Sequence, residues 1–335
     1  MPSQTREFKS TNESPMDEPN FAIRWAMAHF ASGDSYLCGL LVFVVCQIGL
    51  LFVIGVRGRR WLVRGSCAAL IWTVAVLPPV DLRLAGAFGL LMIVGLVSHW
   101  RNRKKTITSP VSRYERCLRI SLASVAVAGI AAEIQHHSFR TPGIVLTSLC
   151  IVGDSVTAGL NDGDDTWPQQ LARQVQIQIL DASQPGATLK SAVKQVEVLK
   201  PLHGEVLLLE IGGNDLLEGL PPEQFEQNLD SLLSECHSRQ RTVVMFELPT
   251  PPLAMRYARS QRQLAAKYQV TLVPRRQFLR MLTASGSTVD GIHLSALGHR
   301  RMMELVQKLL QIPPGEPPRG NYRHVDQPRN RAKRL

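Results

Sequence analysis

Hydrophobic and polar positions divide this chain of 335 residues into two regions. Residues 37–134 are dominated by long apolar stretches, whereas residues 144–310 alternate short apolar runs with polar, helix-like segments. The first pattern is typical of membrane helices and the second of soluble α/β domains. We therefore expect a transmembrane region at 37–134 and a separate α/β domain at 144–310. They are flanked by an N-terminal tail at 1–36 and by a basic, proline-rich tail at 311–335 that we expect to be disordered.

The N-terminal region contains about four candidate transmembrane helices. They lie at 37–56, 65–80, 84–100 and 117–134. The first has no charged residue over 20 positions. At about 1.5 Å per residue, that length matches a bilayer core about 30 Å thick. The second and third are separated by Pro78 and Pro79, which predicts a helical hairpin. The fourth can span only if Arg119 and Glu133 extend their charges to opposite interfaces.

Basic residues predict the orientation of these helices. The loop after the first candidate contains Arg57, Arg59, Arg60 and Arg64, and the segment before the fourth is also basic. Both segments should face the cytoplasm by the positive-inside rule. Four spans would place the N-terminus and the α/β domain outside the cytoplasm, whereas three would place that domain inside. The sequence leaves this choice open.

The formal net charge of +11 does not indicate a nucleic-acid partner, because much of it lies in the membrane-flanking loops and in the tail. The expected partner is the lipid bilayer. Six cysteines are present without a CxxC pair, so no metal site or cofactor is predicted. Only Cys150 and Cys236 belong to the soluble region, and the sequence leaves open whether they form a disulfide.

The pattern at 144–310 predicts an α/β fold with five strands alternating with helices. The strands are expected at 145–152, near 181, at 205–211, at 242–247 and at 270–273, and the last helix at 296–310. Such alternation implies a parallel sheet with helices on both faces. One helix carries Arg256, Arg259 and Arg262 at every third position, which predicts a solvated face.

Four short segments contain candidate catalytic chemistry. Gly153-Asp154-Ser155, Gly186 and Gly212-Gly213-Asn214-Asp215 follow the first three strands, and Asp290 and His293 precede the last helix. All four should meet at the edge of the sheet where the carboxyl ends of the strands lie, which is the usual ligand site of such sheets. Together they supply a hydroxyl nucleophile, an imidazole base, a carboxylate and donors for an oxyanion.

In sequence, these segments resemble the blocks of the SGNH hydrolase family, also called GDSL esterases, and in particular its thioesterase and lysophospholipase branch. The blocks are IVGDSVTAG, DASQPGAT, LLEIGGNDLL and DGIHLSALG, within residues 146–310. The resemblance implies a flavodoxin-like three-layer α/β/α sandwich. It also implies that Ser155 is the nucleophile, His293 the base and Asp290 its partner. The oxyanion hole would consist of Ser155 N–H, Gly186 N–H and the Asn214 amide. One departure is Asp181, which stands where this branch commonly has Asn.

These features predict a multi-pass membrane serine hydrolase that cleaves a carboxylic ester or thioester of a lipid or an envelope glycan, with its catalytic domain outside the cytoplasm. The substrate would be an acylated small molecule or lipid. One alternative is an acyltransferase that moves an acyl group to a sugar or lipid acceptor. Another is an inactive membrane-bound scaffold.

Overall fold

The computed structural model describes most of the chain outside its two ends and the segment between the N-terminal helices. The described residues are 28–52, 56–75, 86, 89–90, 93–94, 113–143, 145–161, 163–199, 205–239, 241–251 and 254–325. Residues 1–27 of the predicted N-terminal tail, the greater part of the predicted span at 84–100 and the basic segment at 101–112 lie outside these residues.

Three helices form the described N-terminal region: α1 (Asp34–Phe52), α2 (Val56–Ala75) and α3 (Arg113–Ile134). A 3-10 turn, Gln135–His137, follows α3. Among the described residues, two segments are long and apolar enough to cross a membrane by length and composition, Asp34–Phe52 and Arg113–His137. The loop predicted at 57–64 is instead the beginning of α2, which continues through Gly58 and Gly65 because no proline separates the arginines from the apolar stretch that follows.

Buried side chains join the three helices. Phe43 of α1, Ala69 of α2 and Ala126 of α3 belong to one apolar cluster. Arg119 does not extend to an interface as the sequence suggested, because its guanidinium pairs with Glu115 one turn earlier at 2.8 Å. Glu115 also accepts a hydrogen bond from Arg59 of α2 at 2.5 Å. These charges are therefore satisfied within the helices.

The C-terminal region is an α/β domain. Its elements, in chain order, are β1 (Ser148–Gly153), α4 (Ser155–Ala158), α5 (Trp167–Ala172), β2 (Gln178–Asp181), α6 (Leu189–Val198), β3 (Glu205–Glu210), α7 (Gly213–Leu217), α8 (Pro222–Ser238), β4 (Thr242–Phe246), α9 (Met255–Lys267), β5 (Thr271–Val273), α10 (Arg275–Thr283), α11 (Ala296–Leu309) and β6 (Tyr322–His324). The strand order is β5-β4-β3-β1-β2-β6, and all pairs are parallel.

Side chains of β1 alternate between two cores, which makes the domain three-layered. Leu149 and Ile151 belong to one core, together with Trp167 of α5 and side chains of α10 and α11. Cys150 and Val152 point the opposite way into a second core with side chains of α6 and α8. Successive side chains of a strand face opposite sides of the sheet, so helices cover both faces. The predicted α/β class and parallel sheet are confirmed.

The sheet has six described strands, not five, and this corrects the prediction for the tail. Residues Tyr322–His324 pair in parallel with β2. The tail is therefore ordered as far as residue 325, although we predicted disorder from 311. Asn321 explains part of this order, because its side-chain amide donates to the backbone oxygens of Ala172 at 2.7 Å and Val175 at 3.0 Å. Residues 326–335 lie outside the described structure.

A buried ionic cluster, which we call the ionic clasp, joins α3 to the α/β domain. It consists of Glu133 of α3, Glu247 after β4, Arg262 of α9 and Arg275 of α10. Arg262 donates to Glu133 at 2.8 Å and 3.0 Å and to Glu247 at 2.6 Å. Arg275 lies 3.4 Å from the same Glu133 carboxylate. The solvated face predicted for α9 is therefore wrong at Arg262, which is buried against these acids.

The two soluble-domain cysteines are free thiols. Cys150 faces the second core and donates to Glu205 Oε2 at 3.2 Å, and Cys236 is buried in α8. Cys150 and Cys236 therefore do not form a disulfide in this structure.

Candidate active site

Ser155 lies at the carboxyl end of β1, at the first position of the short helix α4. A sharp turn is required here, and Gly153 permits it, because a Cβ on Gly153 would lie 2.7 Å from the side chain of Thr157. Asp154 caps α4 by accepting a hydrogen bond from Val156 N at 2.9 Å. Ser155 is mostly buried, with 7% of its surface exposed. The turn thus fixes the backbone on both sides of the hydroxyl.

The second and third blocks lie beside this turn. Gly186 follows β2 with a φ of +71°, a conformation that side-chain-bearing residues rarely adopt. Asn214 follows β3 in α7, and its Nδ2 donates to Ala187 O at 2.8 Å. The same Nδ2 lies 3.4 Å from Asp154 Oδ2, which is near the limit of a hydrogen bond. Asn214 therefore bridges the residues next to Gly186 and Ser155.

The fourth block places Asp290 against His293. Asp290 Oδ2 and His293 Nδ1 are 2.6 Å apart. Asp290 Oδ1 accepts hydrogen bonds from the backbone N–H of Ile292 at 3.0 Å and of His293 at 2.8 Å. Desolvation acts to raise the pKa of Asp290, but the hydrogen bonds from His293 and Ile292 outweigh it and lower that pKa to about 2. Asp290 is therefore ionised throughout the neutral range and holds the imidazole by Nδ1, which leaves Nε2 available.

The imidazole of His293 also lies close to the first block. Burial raises the pKa of the Asp154 carboxyl, and the charge of the His293 imidazole acts on that carboxyl and opposes the rise. Asp154 in turn contacts Asn214 and directly precedes Ser155. The structure thus brings all four blocks together at the edge of the sheet formed by the carboxyl ends of the strands, which we call the carboxyl edge.

Sequence reasoning missed a buried carboxyl pair behind Ser155. Glu210 ends β3, and its side chain is hydrogen-bonded to that of Asp154. Thr157 donates its hydroxyl to Glu210 Oε2 at 2.9 Å. Burial and the neighbouring acid raise the pKa of Glu210 well above its ordinary range, and burial raises the pKa of Asp154 to about 6. The signal in the sequence was an acidic residue at the end of a strand whose four inner residues are all apolar.

Two further polar residues position the site. The side chain of Gln195 makes paired hydrogen bonds with the backbone of Gly153, to N at 3.1 Å and to O at 3.2 Å. Asp215 accepts a hydrogen bond from Leu189 N at 2.9 Å, which holds the beginning of α6 next to the third block. From the sequence, Gln195 was not singled out and Asp215 was named only as a member of the third block, because their partners lie 42 and 26 positions away.

The departure at Asp181 has a structural explanation. Asp181 Oδ1 accepts hydrogen bonds from the backbone of Ser183 at 2.9 Å and from its hydroxyl at 2.6 Å, at the beginning of the loop that leads to Gly186. Its other oxygen accepts the hydroxyl of Tyr322 from β6 at 3.1 Å. Asp181 therefore fixes the loop and anchors the sixth strand.

These side chains can perform nucleophilic acyl transfer. The arrangement offers a hydroxyl at the end of a strand, an imidazole oriented by an ionised carboxylate, and backbone and amide donors around the same position. Within the described ranges, no group of three or more His, Cys, Asp or Glu side chains is placed to hold a metal ion.

Known proteins with similar sequences match the C-terminal part of the chain. Residues 151–301 match the model of the GDSL-like Lipase/Acylhydrolase family. Esterase TesA of Pseudomonas aeruginosa is 28% identical over 178 residues, which cover 49% of this chain and 88% of that protein. Thioesterase 1/protease 1/lysophospholipase L1 of Escherichia coli is 28% identical over 155 residues, 44% of this chain and 74% of that protein.

A crystal structure of TesA covers 49% of this chain and 98% of its own, at 27% identity and a TM-score of 0.42. The family match and the relatives coincide with the region that contains the four blocks. The C-terminal part of the chain is therefore similar to GDSL/SGNH esterases, and it carries an ester-hydrolysing domain.

Proposed function

We propose that this protein is a membrane-anchored serine hydrolase that cleaves a carboxylic ester or thioester of an acylated lipid or envelope glycan through an acyl-enzyme. The observation that carries this proposal is the contact of 2.6 Å between Asp290 and His293, whose imidazole acts electrostatically on Asp154, the residue before Ser155. The names of the relatives, an esterase and a thioesterase/lysophospholipase, support this reaction class.

In the proposed reaction, His293 Nε2 takes the proton of Ser155 as Oγ attacks the carbonyl carbon. The C–O or C–S bond then breaks, and the imidazolium returns the proton to the leaving group. Water, deprotonated by His293, attacks the acyl-enzyme and releases the acid and Ser155. Asp290 stabilises the imidazolium in both half-reactions.

The oxyanion hole is proposed to consist of the backbone N–H groups of Ser155 and Gly186 and the amide of Asn214. Among the described residues, no acceptor takes up either of these two backbone donors. The long contact between Asn214 and Asp154 is one that a substrate oxyanion can replace, while the shorter bond to Ala187 O keeps the amide in place. Removing one such donor typically raises the barrier by about 3 kcal/mol.

Membrane anchoring rests on the two long apolar helices and on their surfaces. Within the described chain, α1 exposes Leu41, Val45 and Phe52, and α3 exposes Ile120 and Val127. Side chains of this size are normally buried in soluble proteins, and a bilayer would cover them.

The helix ends favour an even number of crossings. His137 Nδ1, just after α3, lies 3.6 Å from Asp34 Oδ1 at the beginning of α1. If α1 and α3 both cross the bilayer, these two ends lie on the same side of it. The arginines near the beginning of α2 would then mark the cytoplasmic side, and the catalytic domain would face outward.

The test compares Ser155→Ala with Ser231→Ala in the full-length protein, using a short p-nitrophenyl ester. Ser231 is exposed on α8 and serves as the matched control. We expect Ser155→Ala to lose hydrolysis by at least about a thousandfold and Ser231→Ala to match the wild type. Unchanged turnover by Ser155→Ala would refute the assignment.

A further inference from the structure

The ionic clasp fixes the end of α3 against the carboxyl edge of the sheet. Glu247 directly follows β4, and Arg275 follows β5 after Pro274. Glu247 Oε2 accepts a hydrogen bond from the backbone N–H of Arg275 at 3.2 Å. Because adjacent strands lie about 4.8 Å apart and β3 separates β4 from β1, the clasp lies about 10 Å along the edge from the strand that leads to Ser155.

The ion pairs of the clasp are buried, which holds α3 firmly against the α/β domain. Glu133 is fully buried, with 0% of its side chain exposed, and the side chains of Arg262 and Arg275 are 7% and 3% exposed. Buried charges of opposite sign hold their geometry closely, because separating them leaves uncompensated charge in a medium of low dielectric constant. The carboxyl edge therefore has a fixed position relative to the end of α3.

Exposed apolar side chains collect at the same edge. In the described part of the α/β domain, six large hydrophobic residues are exposed: Val145, Leu160, Leu217, Val289, Ile292 and Leu297. Leu160 and Leu217 lie in the segments that follow β1 and β3, Val289 and Ile292 lie in the loop before α11, and Leu297 lies at the beginning of α11. These segments contain or adjoin the four blocks of the candidate site. Val145 precedes β1, at the opposite edge. Such a collection on one edge marks a contact surface.

We propose that this apolar edge, Leu160, Leu217, Val289, Ile292 and Leu297, contacts the surface of the bilayer that α1 and α3 cross, so that an amphiphilic ester enters the site directly from the lipid. The proposal rests on the proposed function and adds the source of the substrate to it. The bilayer is the surface that this edge contacts, for two reasons. The clasp fixes the edge next to the end of α3. The outer faces of α1 and α3 are themselves apolar, as a bilayer would require.

The substrate class follows from this arrangement. An acyl chain would remain in the lipid phase while its ester carbonyl reaches Ser155 at the interface. A water-soluble ester gains nothing from the apolar edge and reaches the same serine from solution. The proposal therefore predicts that hydrolysis of a lipid ester depends on the apolar edge, whereas hydrolysis of a soluble ester by the same serine does not.

The first test measures lipid contact without relying on catalysis. Full-length protein is placed in nanodiscs that contain phosphatidylcholine with photoinert, alkyne-tagged acyl chains, and p-benzoylphenylalanine is introduced at position 217 or at position 145. We expect light to cross-link the lipid at 217 at least about tenfold more than at 145. Equal cross-linking at the two positions would overturn the proposal.

The second test separates the two substrate sources. A Leu160→Ser, Leu217→Ser, Val289→Ser variant is compared with Val145→Ser, using a long-chain lysophospholipid in vesicles and a short soluble ester. We expect the triple variant to lose about tenfold on the vesicle substrate and to keep its rate on the soluble ester, and Val145→Ser to keep both. Equal losses on both substrates, or no loss on vesicles, would contradict the bilayer contact.

The two hypotheses fail in distinguishable ways. If Ser155→Ala hydrolyses the soluble ester as the wild type does, the proposed function fails. If Ser155→Ala is inactive and the triple variant matches the wild type on vesicles, only the bilayer contact fails.

Discussion

Two clusters of buried acids lie at the carboxyl edge of the same sheet and differ in what neutralises them. In the ionic clasp, Glu133 and Glu247 face the guanidinium groups of Arg262 and Arg275. Behind the nucleophile, Asp154 and Glu210 face each other, and the acid Asp215 and the imidazole of His293 also act on the charge of Asp154. The acids of the clasp are therefore ionised in ion pairs, whereas the pair behind Ser155 binds a proton.

The difference shows that burial alone does not decide the role of a carboxyl group. A carboxylate with a buried cation keeps its charge and becomes a structural connection, whereas two carboxyls without one share a proton. The clasp connects α3 to the α/β domain. The carboxyl pair includes Asp154, which caps the short helix that begins at Ser155.

The largest expected effect comes from breaking the clasp. Glu133→Ala removes one of the two carboxylates that neutralise the buried charges of Arg262 and Arg275. We therefore expect the free energy of unfolding of the α/β domain to fall by about 3–5 kcal/mol. Denaturant unfolding of the full-length protein in detergent micelles measures this. A loss below about 1 kcal/mol would mean that the clasp is not a stabilising connection.

Changing the carboxyl pair sharpens the comparison. Glu210→Ala removes the acceptor of the Thr157 hydroxyl, and leaving that buried group unsatisfied should cost about 1–3 kcal/mol in addition to the cavity. Glu210→Gln keeps a carbonyl for Thr157 and an N–H donor for Asp154, so it should retain stability and ester hydrolysis within about threefold. If Glu210→Gln loses as much stability as Glu210→Ala, the hydrogen bonds that Gln retains are not what stabilises this site.

The pair also predicts a pH dependence of stability. The folded-state pKa of Asp154 is raised to about 6, and that of Glu210 is raised as well. The folded protein thus binds a proton that the unfolded chain releases near pH 4, so stability falls as pH rises from about 4 through 6. The slope should approach about 1.4 kcal/mol per pH unit for one proton.

Comparing unfolding free energies of wild type and Glu210→Gln at pH 4.5, 5.5 and 6.5 tests this dependence. The variant should show the shallower fall, since Gln carries no titrating proton. A steeper fall in the variant would contradict the assignment of the proton to this pair.

The smallest effect is expected from an exposed ion pair on the same helix as Arg262. Arg256 lies 2.5 Å from Glu223, but both side chains are 62% exposed. Solvent screens such a pair, so Arg256→Ala should change the free energy of unfolding by less than about 0.5 kcal/mol. This variant is the matched control for the clasp, and a loss comparable to that of Glu133→Ala would remove the distinction between buried and exposed pairs.

The central strands and the four blocks could be predicted from the sequence because each depends on local patterns. Apolar runs of strand length and flanking glycines place β1 and β3, and Ser295 caps α11 as expected, accepting from Gly298 N at 3.1 Å. The helix α10, Arg275–Thr283, was not predicted, since its arginines follow Pro274 and resemble a loop.

Features that depend on distant partners could not be predicted. Glu133 and Arg262 lie 129 positions apart, and the three-residue strand β6 forms only because the edge of β2 is available to it. The spacing of Arg256, Arg259 and Arg262 is the same whether a helix face is solvated or buried. Only the packed neighbours distinguish the buried Arg262 from the exposed Arg256.

The most direct test of the account is to identify the residue that a fluorophosphonate probe modifies in the full-length protein. We predict that peptide mass spectrometry finds the adduct on Ser155, that Ser155→Ala abolishes labelling, and that His293→Ala slows it by at least about a hundredfold. An adduct on another serine, or undiminished labelling of Ser155→Ala, would contradict the assignment of Ser155 as the nucleophile.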